Sequence, residues 1–248
     1  MKLALMADIH SNLEAFTACL DHAKRQGKHS YAFLGDLVGY GADPGPVVDL
    51  VLRCIEEEGG ILVKGNHDAA VVRARTETMN TDAEVAAVWT RDQLTERQLQ
   101  FLGSLPLTAR RHDSFFVHAS AQDPSDWIYI TDHVRAYHSM LAARANWLFC
   151  GHIHRSELYY MGQTLRPVPF TPVAETAIPV HPRRQWLGVI GAVGQPRDGV
   201  SDACYAVMDF SAYTLTYHRV PYDWQHAATK IRAAGLPERL ASRLGRGE

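Results

Sequence analysis

The chain of 248 residues is 46% hydrophobic and 21% charged, a composition typical of soluble globular domains, and this excludes an intrinsically disordered chain. Its formal net charge of -2 provides no global field to attract a polyanion, so we do not expect nucleic acid as a partner. The first apolar run, residues 3–7, is too short to span a bilayer or to form the core of a signal peptide, so we expect a cytoplasmic protein with no membrane partner.

The first third of the chain alternates short apolar runs with helical patterns, which predicts βαβ units and a parallel sheet. The first predicted strand is KLALMADIH, and the next two are YAFLGD and ILVKGN. Residues 11–14 (SNLE) match a capping box, and apolar residues then recur at helical spacing until Gly27. A second helix is predicted over 46–58, before two glycines.

The middle of the chain predicts three more helices and two more strands. Residues 80–105 show helical spacing in two pieces, and the second piece opens with Thr95 and has Gln98 three residues later. The strand SFFVHAS follows, then a helix over 132–145, then the strand WLFCGHIH. Each predicted strand of this region therefore runs into polar residues.

The last part of the chain has a different pattern. From Ser156 to Tyr217, short apolar stretches are broken by Gly and Pro, which predicts antiparallel hairpins and a second sheet. A final helix is predicted at about 223–234, followed by an arginine-bearing tail that we expect to lie solvated on the surface. We see no repeat and no linker, and expect one domain over residues 1–248.

Four cysteines are scattered along the chain without a CxxC pair, so neither a zinc site nor a redox motif is indicated. We expect buried, reduced thiols, as in cytoplasmic proteins. The residues are Cys19, Cys54, Cys150 and Cys204.

Carboxylate, amide and imidazole side chains follow the predicted strands, at the edge of an α/β sheet where sites form. Asp8 and His10 are two residues apart, so a strand would turn both side chains to one face. The candidate ligands are Asp8, His10, Asp36, Asn66, His118, His152 and His154.

These donors lack a thiolate and suit borderline to hard divalent metals. Seven candidates are too many for one four-coordinate ion, and two ions that share a bridging carboxylate are the economical interpretation. A single motif of this kind is more often a helix cap or a turn than a metal site. Here five such motifs occur in order, each after an apolar run, so caps and turns alone are an improbable explanation for all five.

The ordered motifs resemble those of the calcineurin-like metallophosphoesterases. They are DIH at 8–10, GDLVG at 35–39, GNHD at 65–68, VH at 117–118 and GHIH at 151–154. The longer stretches GDLVGYGADP, GNHDAAV and GAVGQPRDG also resemble a bacterial subfamily of small stand-alone phosphoesterases. The resemblance implies an α/β fold, a four-layer αββα sandwich of two mixed β-sheets flanked by helices.

By matching motif positions, the resemblance also implies a dinuclear metal centre bridged by Asp36. Manganese is the expected metal, with iron, zinc or nickel as alternatives. One metal would be held by Asp8, His10 and His154, and the other by Asn66, His118 and His152.

The resemblance further implies a hydrolase of phosphomonoesters or phosphodiesters, in which a metal-bridging hydroxide attacks the phosphorus of a small substrate, for which a nucleotide-like compound is one candidate. His67 is left free as general acid, and Asp68 is expected to orient its imidazole. Arg197 could contact a phosphoryl oxygen and Tyr40 could stack on a substrate ring, although a solvent-facing Arg197 and a packed Tyr40 are alternatives.

Two departures from the related protein Ser/Thr phosphatases make a phosphoprotein substrate less expected. Where they carry an Asp-Arg pair, this chain reads LVGYG, and Asp68 stands where they have Glu. Two other functions stay open: a non-catalytic protein-binding scaffold on the same fold, and a nuclease. The retained His67 argues against a scaffold, and the low charge argues against a nuclease. The sequence does not define the oligomeric state.

Overall fold

The computed structural model describes residues 1–27, 30–74, 79–162 and 165–248. The strands in these ranges are β1 (Lys2–Met6), β2 (Ser30–Phe33), β3 (Gly60–Leu62), β4 (Thr108–Arg111), β5 (Ser114–Val117), β6 (Trp147–Cys150), β7 (Ser156–Met161), β8 (Val168–Phe170), β9 (Ala177–Pro179), β10 (Gln185–Ile190), β11 (Ala203–Asp209) and β12 (Thr214–Val220). The helices are α1 (Leu13–Arg25), α2 (Pro44–Glu58), α3 (Asn66–Arg73), α4 (Thr81–Gln93), α5 (Glu96–Ser104), α6 (His133–Ala143), α7 (Trp224–Ala233) and α8 (Glu238–Ser242).

The strands form two mixed sheets of six strands each. The first has the order β3-β2-β1-β11-β12-β9, with β1, β2 and β3 parallel and the other pairings antiparallel. The second has the order β4-β5-β6-β10-β7-β8, with β5, β6 and β10 parallel. The predicted parallel units and later hairpins are thus confirmed, except that β10 enters the second sheet parallel to β6.

The sheets pack face to face and helices cover both outer faces, which confirms the predicted four-layer αββα sandwich. Side chains of both sheets share one apolar cluster, in which Tyr217 of the first sheet meets Phe149 of the second. The helices α1 and α2 pack on the outer face of the first sheet through Phe16 and Val47, and α6 packs on the second through Met140. Burial of apolar surface in these three interfaces, one between the sheets and one between each sheet and its helices, is the main force that stabilises the four layers.

Helix starts follow local capping in most places, and one predicted cap was wrong. The helix α5 begins at the predicted capping box of Thr95 and Gln98. In α1 the cap is Asn12, whose side chain accepts a hydrogen bond from the Ala15 amide, and not Ser11. Ser11 has a φ of 52°, and its buried hydroxyl has no hydrogen-bond partner among the described residues. The chain is therefore still turning at Ser11, so the helix starts one residue later.

The carboxyl ends of the early strands are also shorter than predicted. The strand β1 ends at Met6, so Asp8 and His10 lie in the following turn, with φ values of 55° and 49°. Strand alternation is therefore the wrong reason for expecting them on one face. The predicted strand ILVKGN ends at Leu62, and its last residue, Asn66, begins the helix α3.

The C-terminal segment is not the solvated tail that we predicted. It forms α8, in which Leu240 and Ala241 are buried and pack with α7 and with Tyr40. The helix has five residues, too few for apolar periodicity to reveal it in the sequence. None of the helices in the described ranges combines the length and apolarity needed to cross a bilayer.

We expect that Leu240→Ala lowers the free energy of unfolding by about 2–4 kcal/mol, because Leu240 is fully buried and its removal leaves a cavity. Arg239→Ala, at an exposed position of the same helix, should change stability by less than about 0.5 kcal/mol. Urea denaturation measures both. Equal, small effects would mean that α8 does not pack as described.

Candidate metal centre

The carboxyl ends of parallel strands from both sheets meet at one edge of the sandwich, and the seven candidate ligands lie there. Within the described residues, three groups of histidine and aspartate side chains are close enough to hold a metal ion. They are Asp8, His10 and His154; Asp36, His118 and His152; and His10, Asp36 and His67. All of these side chains are buried.

In the first group, Asp8 Oδ1 lies 3.3 Å from His154 Nε2, and the Nε2 atoms of His10 and His154 are 3.1 Å apart. The other carboxylate oxygen of Asp8 accepts a hydrogen bond of 2.9 Å from the His152 amide. Asp8 Oδ1 is buried and has no hydrogen-bond partner in the described part of the chain. A buried carboxylate oxygen that faces two imidazoles without a hydrogen bond is available to a cation.

In the second group, His118 Nε2 lies 3.1 Å from both Asn66 Oδ1 and His152 Nδ1. Asn66, the first residue of α3, is half-buried, so its amide closes the group on the cleft side. The group thus contains an amide oxygen, two imidazoles and a nearby carboxylate, Asp36.

Asp36 lies between the two groups. Its Oδ2 atom is 3.3 Å from His118 Nε2 and 3.6 Å from His10 Nε2, and its Oδ1 atom accepts a hydrogen bond of 2.8 Å from the His67 amide. One carboxylate oxygen of Asp36 therefore faces a histidine of each group.

The hydrogen bonds of the four histidines determine which ring nitrogen is free. In each ring one nitrogen contacts a backbone carbonyl, which can only accept, so that nitrogen carries the proton. The contacts are His10 Nδ1 to Val38 O (3.2 Å), His118 Nδ1 to Leu34 O (2.7 Å), His152 Nε2 to Trp127 O (2.8 Å) and His154 Nδ1 to Gln195 O (2.7 Å).

In a neutral imidazole the remaining nitrogen then presents a lone pair. The four lone pairs face one another in two pairs at 3.1 Å. Such contacts repel unless a proton or a cation lies between them. The donor set of imidazole, carboxylate and amide, without thiolate, therefore fits borderline to hard divalent metals.

The charges of the buried groups agree with this interpretation. Burial opposes ionisation of Asp36, but the charges of His118 and His67 outweigh it and hold the pKa of Asp36 well below its ordinary value. Burial likewise opposes charge on His118, yet Asp36 raises the pKa of His118 to about 9. Burial lowers the pKa of His152 to about 3, with a further contribution from the His118 charge. A cation that binds here must displace the His118 proton.

Two glycines make room for the carboxylates. A β-carbon at Gly65 would lie 2.0 Å from Asp36 Oδ1, and one at Gly151 would lie 2.4 Å from Asp8 Oδ2. Neither position tolerates a larger side chain without moving its carboxylate. The glycines of GNHD and GHIH are therefore required by the close approach of two loops to the candidate ligands.

His67 lies beside the two groups and is 4% exposed. Its ring centroid is 4.3 Å from that of Tyr40 and 4.8 Å from that of His10. Its Nδ1 atom is buried and has no hydrogen-bond partner among the described residues. Burial, with smaller contributions from neighbouring positive charges, lowers the pKa of His67 to about 4.

The expected pairing of Asp68 with the His67 imidazole was wrong. Asp68 Oδ1 accepts hydrogen bonds from the amides of Leu37 (2.9 Å) and Val38 (3.2 Å), and Oδ2 accepts one from Gly65 (2.9 Å). Because both carboxylate oxygens of Asp68 accept hydrogen bonds from backbone amides, Asp68 links the start of α3 to the loop after β2. It positions Asn66 and His67 through the backbone.

Arg197 and Tyr40 both lie next to the candidate ligands. The Arg197 side chain donates to Gln195 Oε1, and its Cζ atom is 5.6 Å from the centroid of the Tyr40 ring. Tyr40 is 6% exposed, and its ring centroid is 4.6 Å from that of His10. Tyr40 is thus mostly packed, and its contact with His10 and Arg197 brings the arginine near the ligands.

Two aromatic residues of the site were not predicted. The Trp127 carbonyl accepts the hydrogen bond that orients His152, and the Tyr129 ring stacks on His152 with centroids 4.0 Å apart. Tyr129 is 48% exposed. The run DWIYI could have indicated them, because it lies in a segment without helical or strand periodicity. Binding and catalytic residues are often found in such loops.

A cleft of about 680 Å³ opens over the centre. Asn66, His67 and His152 line it together with residues of α3, the start of α4 and the loop that contains Trp127 and Tyr129. Charged and polar side chains, among them Arg73, Asn80 and Asp126, also line the cleft. Its size and polarity suit a small polar substrate.

A sequence model of the calcineurin-like phosphoesterase family matches residues 1–156. An uncharacterized protein of Methanocaldococcus jannaschii is 33% identical to the chain over 260 residues, which cover 98% of this chain and 96% of that protein. The crystal structure of a metallophosphoesterase from Sphaerobacter thermophilus superposes with a TM-score of 0.87 at 35% identity, covering 100% of this chain and 99% of that one.

A hypothetical protein from Pyrococcus horikoshii OT3 has a TM-score of 0.81 at 17% identity, covering 100% of this chain and 98% of that one. At this identity the likeness shows the fold alone.

We expect Gly65→Ala to reduce manganese binding at least tenfold, because the added β-carbon would displace the Asp36 carboxylate. Gly162→Ala is the matched control, since a β-carbon at Gly162 meets nothing within 4 Å. Calorimetric titration of the metal-free proteins measures the affinity. Equal binding by both variants would contradict the described approach of Gly65 to Asp36.

Proposed function

The chain belongs to the calcineurin-like phosphoesterase family, and on this basis we propose that it is a hydrolase that cleaves small phosphomonoesters or phosphodiesters with two divalent metal ions. The observation that supports a dinuclear centre is the position of Asp36 Oδ2, which faces a histidine of each ligand group. The cleft above it supports a small phosphoester substrate, for which a nucleotide-like compound is one candidate.

The proposed ligands of one ion are Asp8, His10 and His154, those of the other are Asn66, His118 and His152, and Asp36 is shared. Manganese is the proposed metal, with iron, zinc or nickel as alternatives that suit the same donors. When bound, two such cations make water a nucleophile near neutral pH and neutralise charge on the phosphoryl oxygens.

We assign general acid catalysis to His67. Its imidazole is buried beside the ligand groups and lines the cleft, so the ring can meet a bound substrate. Burial lowers the pKa of His67 to about 4, and a phosphoryl anion in the cleft would favour the protonated ring. The proton then passes from the imidazole to the leaving oxygen.

The other proposed site residues position or bind the substrate. Asp68 holds His67 and Asn66 through the backbone hydrogen bonds of the GNHD segment. Arg197 is placed to contact a phosphoryl oxygen, and Tyr40 to form the wall between that arginine and His10. A non-catalytic scaffold would have no use for the buried, unpaired imidazole nitrogen of His67.

We also propose that residues 1–248 act as one catalytic domain, which the apolar cluster shared by the two sheets supports. We place the protein in the cytoplasm, because all four cysteines are free and buried. We propose no nucleic-acid partner, since the net charge of -2 offers a polyanion no general attraction.

Metal analysis of the manganese-loaded protein should approach two ions per chain. Asp36→Asn should lose at least one ion and most phosphodiesterase activity, because a neutral amide bridges two cations poorly. Asp21→Asn, which alters an exposed carboxylate of α1, is the control and should retain two ions per chain and the phosphodiesterase activity. Two tightly held ions and normal turnover in Asp36→Asn would refute the bridging role.

His67→Ala should keep both ions, slow hydrolysis of a nitrophenyl ester modestly and slow an alkyl ester by about 10²- to 10⁴-fold. A nitrophenolate leaves readily without a proton, whereas an alkoxide does not. His133→Ala, at an exposed histidine of α6, is the control. Loss of metal, or equal slowing of both esters, would show that His67 is not the acid.

A further inference from the structure

Two guanidinium groups from distant parts of the chain converge on one neutral side chain. Gln195 Oε1 accepts from Arg197 Nη2 at 2.8 Å and from Arg243 Nη1 at 3.2 Å. Arg197 lies in the loop after β10, and Arg243 is the residue that ends α8. Gln195 is 2% exposed, so the acceptor is held inside the protein.

Within the described ranges, neither Arg197 nor Arg243 forms an ion pair with an aspartate or glutamate. Asp82 favours the charge of Arg243, but the two side chains are not within ion-pair distance. Other arginines of the C-terminal segment do have partners: Arg232 pairs with Glu238 and Arg246 with Glu248.

Two partly buried positive charges that share one neutral acceptor repel each other. Burial first, and then the charges of Arg197 and Arg239, lower the pKa of Arg243. The Arg243 Nε–H is also buried without an acceptor among the described residues. An anion between the guanidinium groups would offset the repulsion and could accept from the donors that Gln195 leaves free.

The pair lies close to the candidate metal centre, where the Arg197 backbone amide donates to the His154 carbonyl at 3.0 Å. The Tyr40 ring is next to His10 on one side, with centroids 4.6 Å apart, and next to Arg197 on another, with its Cζ at 5.6 Å. The Tyr40 ring thus lies between Arg197 and the candidate ligand His10.

We propose that Arg197 and Arg243 form a subsite for a second phosphate group of the substrate, so that the physiological substrate is a phosphoester with another phosphate near the one that is cleaved. Two guanidinium charges match a phosphate monoester, whose charge at neutral pH is about -1.5 to -2. Planar guanidinium groups also suit the several oxygens of a phosphate. This inference rests on the proposed function, because it assumes that the cleaved phosphoryl group binds at the metal centre.

The test compares propane-1,3-bisphosphonate with propylphosphonate, which are not hydrolysed and differ by one phosphonate group. Calorimetric titration of the manganese-loaded protein should show about tenfold or more tighter binding of the bisphosphonate. Arg243→Gln should reduce this advantage to less than about threefold and leave propylphosphonate binding unchanged. Arg246→Gln removes the same charge from an exposed, paired position and should keep the full advantage.

Arg197→Gln, on the other element, should also reduce the bisphosphonate advantage to less than about threefold, so the test does not depend on the folding of one variant. Because Arg197 is also a proposed substrate contact, propylphosphonate binding is compared only in Arg243→Gln. Equal weakening of both ligands in Arg243→Gln, or a full bisphosphonate advantage in Arg197→Gln, would overturn the proposal. No advantage for the bisphosphonate in the wild-type protein would overturn it as well.

Hydrolysis of bis-p-nitrophenyl phosphate, which has no second phosphate, tests the proposed function separately. If the protein cleaves this diester but binds the bisphosphonate no more tightly than propylphosphonate, the subsite is refuted and the proposed hydrolase function is supported. A bisphosphonate advantage that is lost in both arginine variants, in a protein that cleaves no phosphoester, supports the subsite and refutes the hydrolase.

Discussion

The close approach of buried donor atoms is the constraint on which the candidate site depends. Four imidazoles each bond a backbone carbonyl through one nitrogen, so that their remaining nitrogens face each other at 3.1 Å in two pairs, and each pair is favourable only with a proton or a cation between its two atoms. Asp8 Oδ1 faces the same space without a hydrogen bond. A buried polar atom without a partner destabilises the fold by about 1–3 kcal/mol. Bound cations would convert these unfavourable contacts into bonds, so metal binding and stability of this edge should be coupled.

The backbone around the ligands is strained in a consistent way. Asp8, His10, Asp36, His152 and His154 all have positive φ values, between 49° and 71°. Such conformations destabilise non-glycine residues by about 1–3 kcal/mol each and persist only where the surroundings enforce them. Here hydrogen bonds between loops enforce them; for example, the His10 amide donates to the Asp36 carbonyl at 2.9 Å. The two sheets therefore form a rigid support, and the turns at the ends of their strands orient the side chain of each candidate ligand.

The C-terminal segment connects the second half of the chain to the same edge. Leu240 and Ala241 pack with α7 and with Tyr40, which in turn contacts His10 and His67. Lys230 of α7 bonds both Glu14 of α1 and Asp43 before α2. The segment thus packs against Tyr40 of the loop after β2 and places Arg243 beside Gln195 of the loop after β10.

The sequence alone determined the layered α/β fold, the positions of most helices and the set of residues at the strand ends. These features depend on local signals: an apolar run followed by GD or GNH, or a cap such as Thr95 with Gln98. Only the tertiary structure decided that Asp68 bonds Leu37 and Val38, 31 and 30 residues away, instead of His67. It also decided that α8 is buried and that Arg243 reaches Gln195, because contacts between distant residues leave no periodic pattern in the sequence and a five-residue helix is too short to show one.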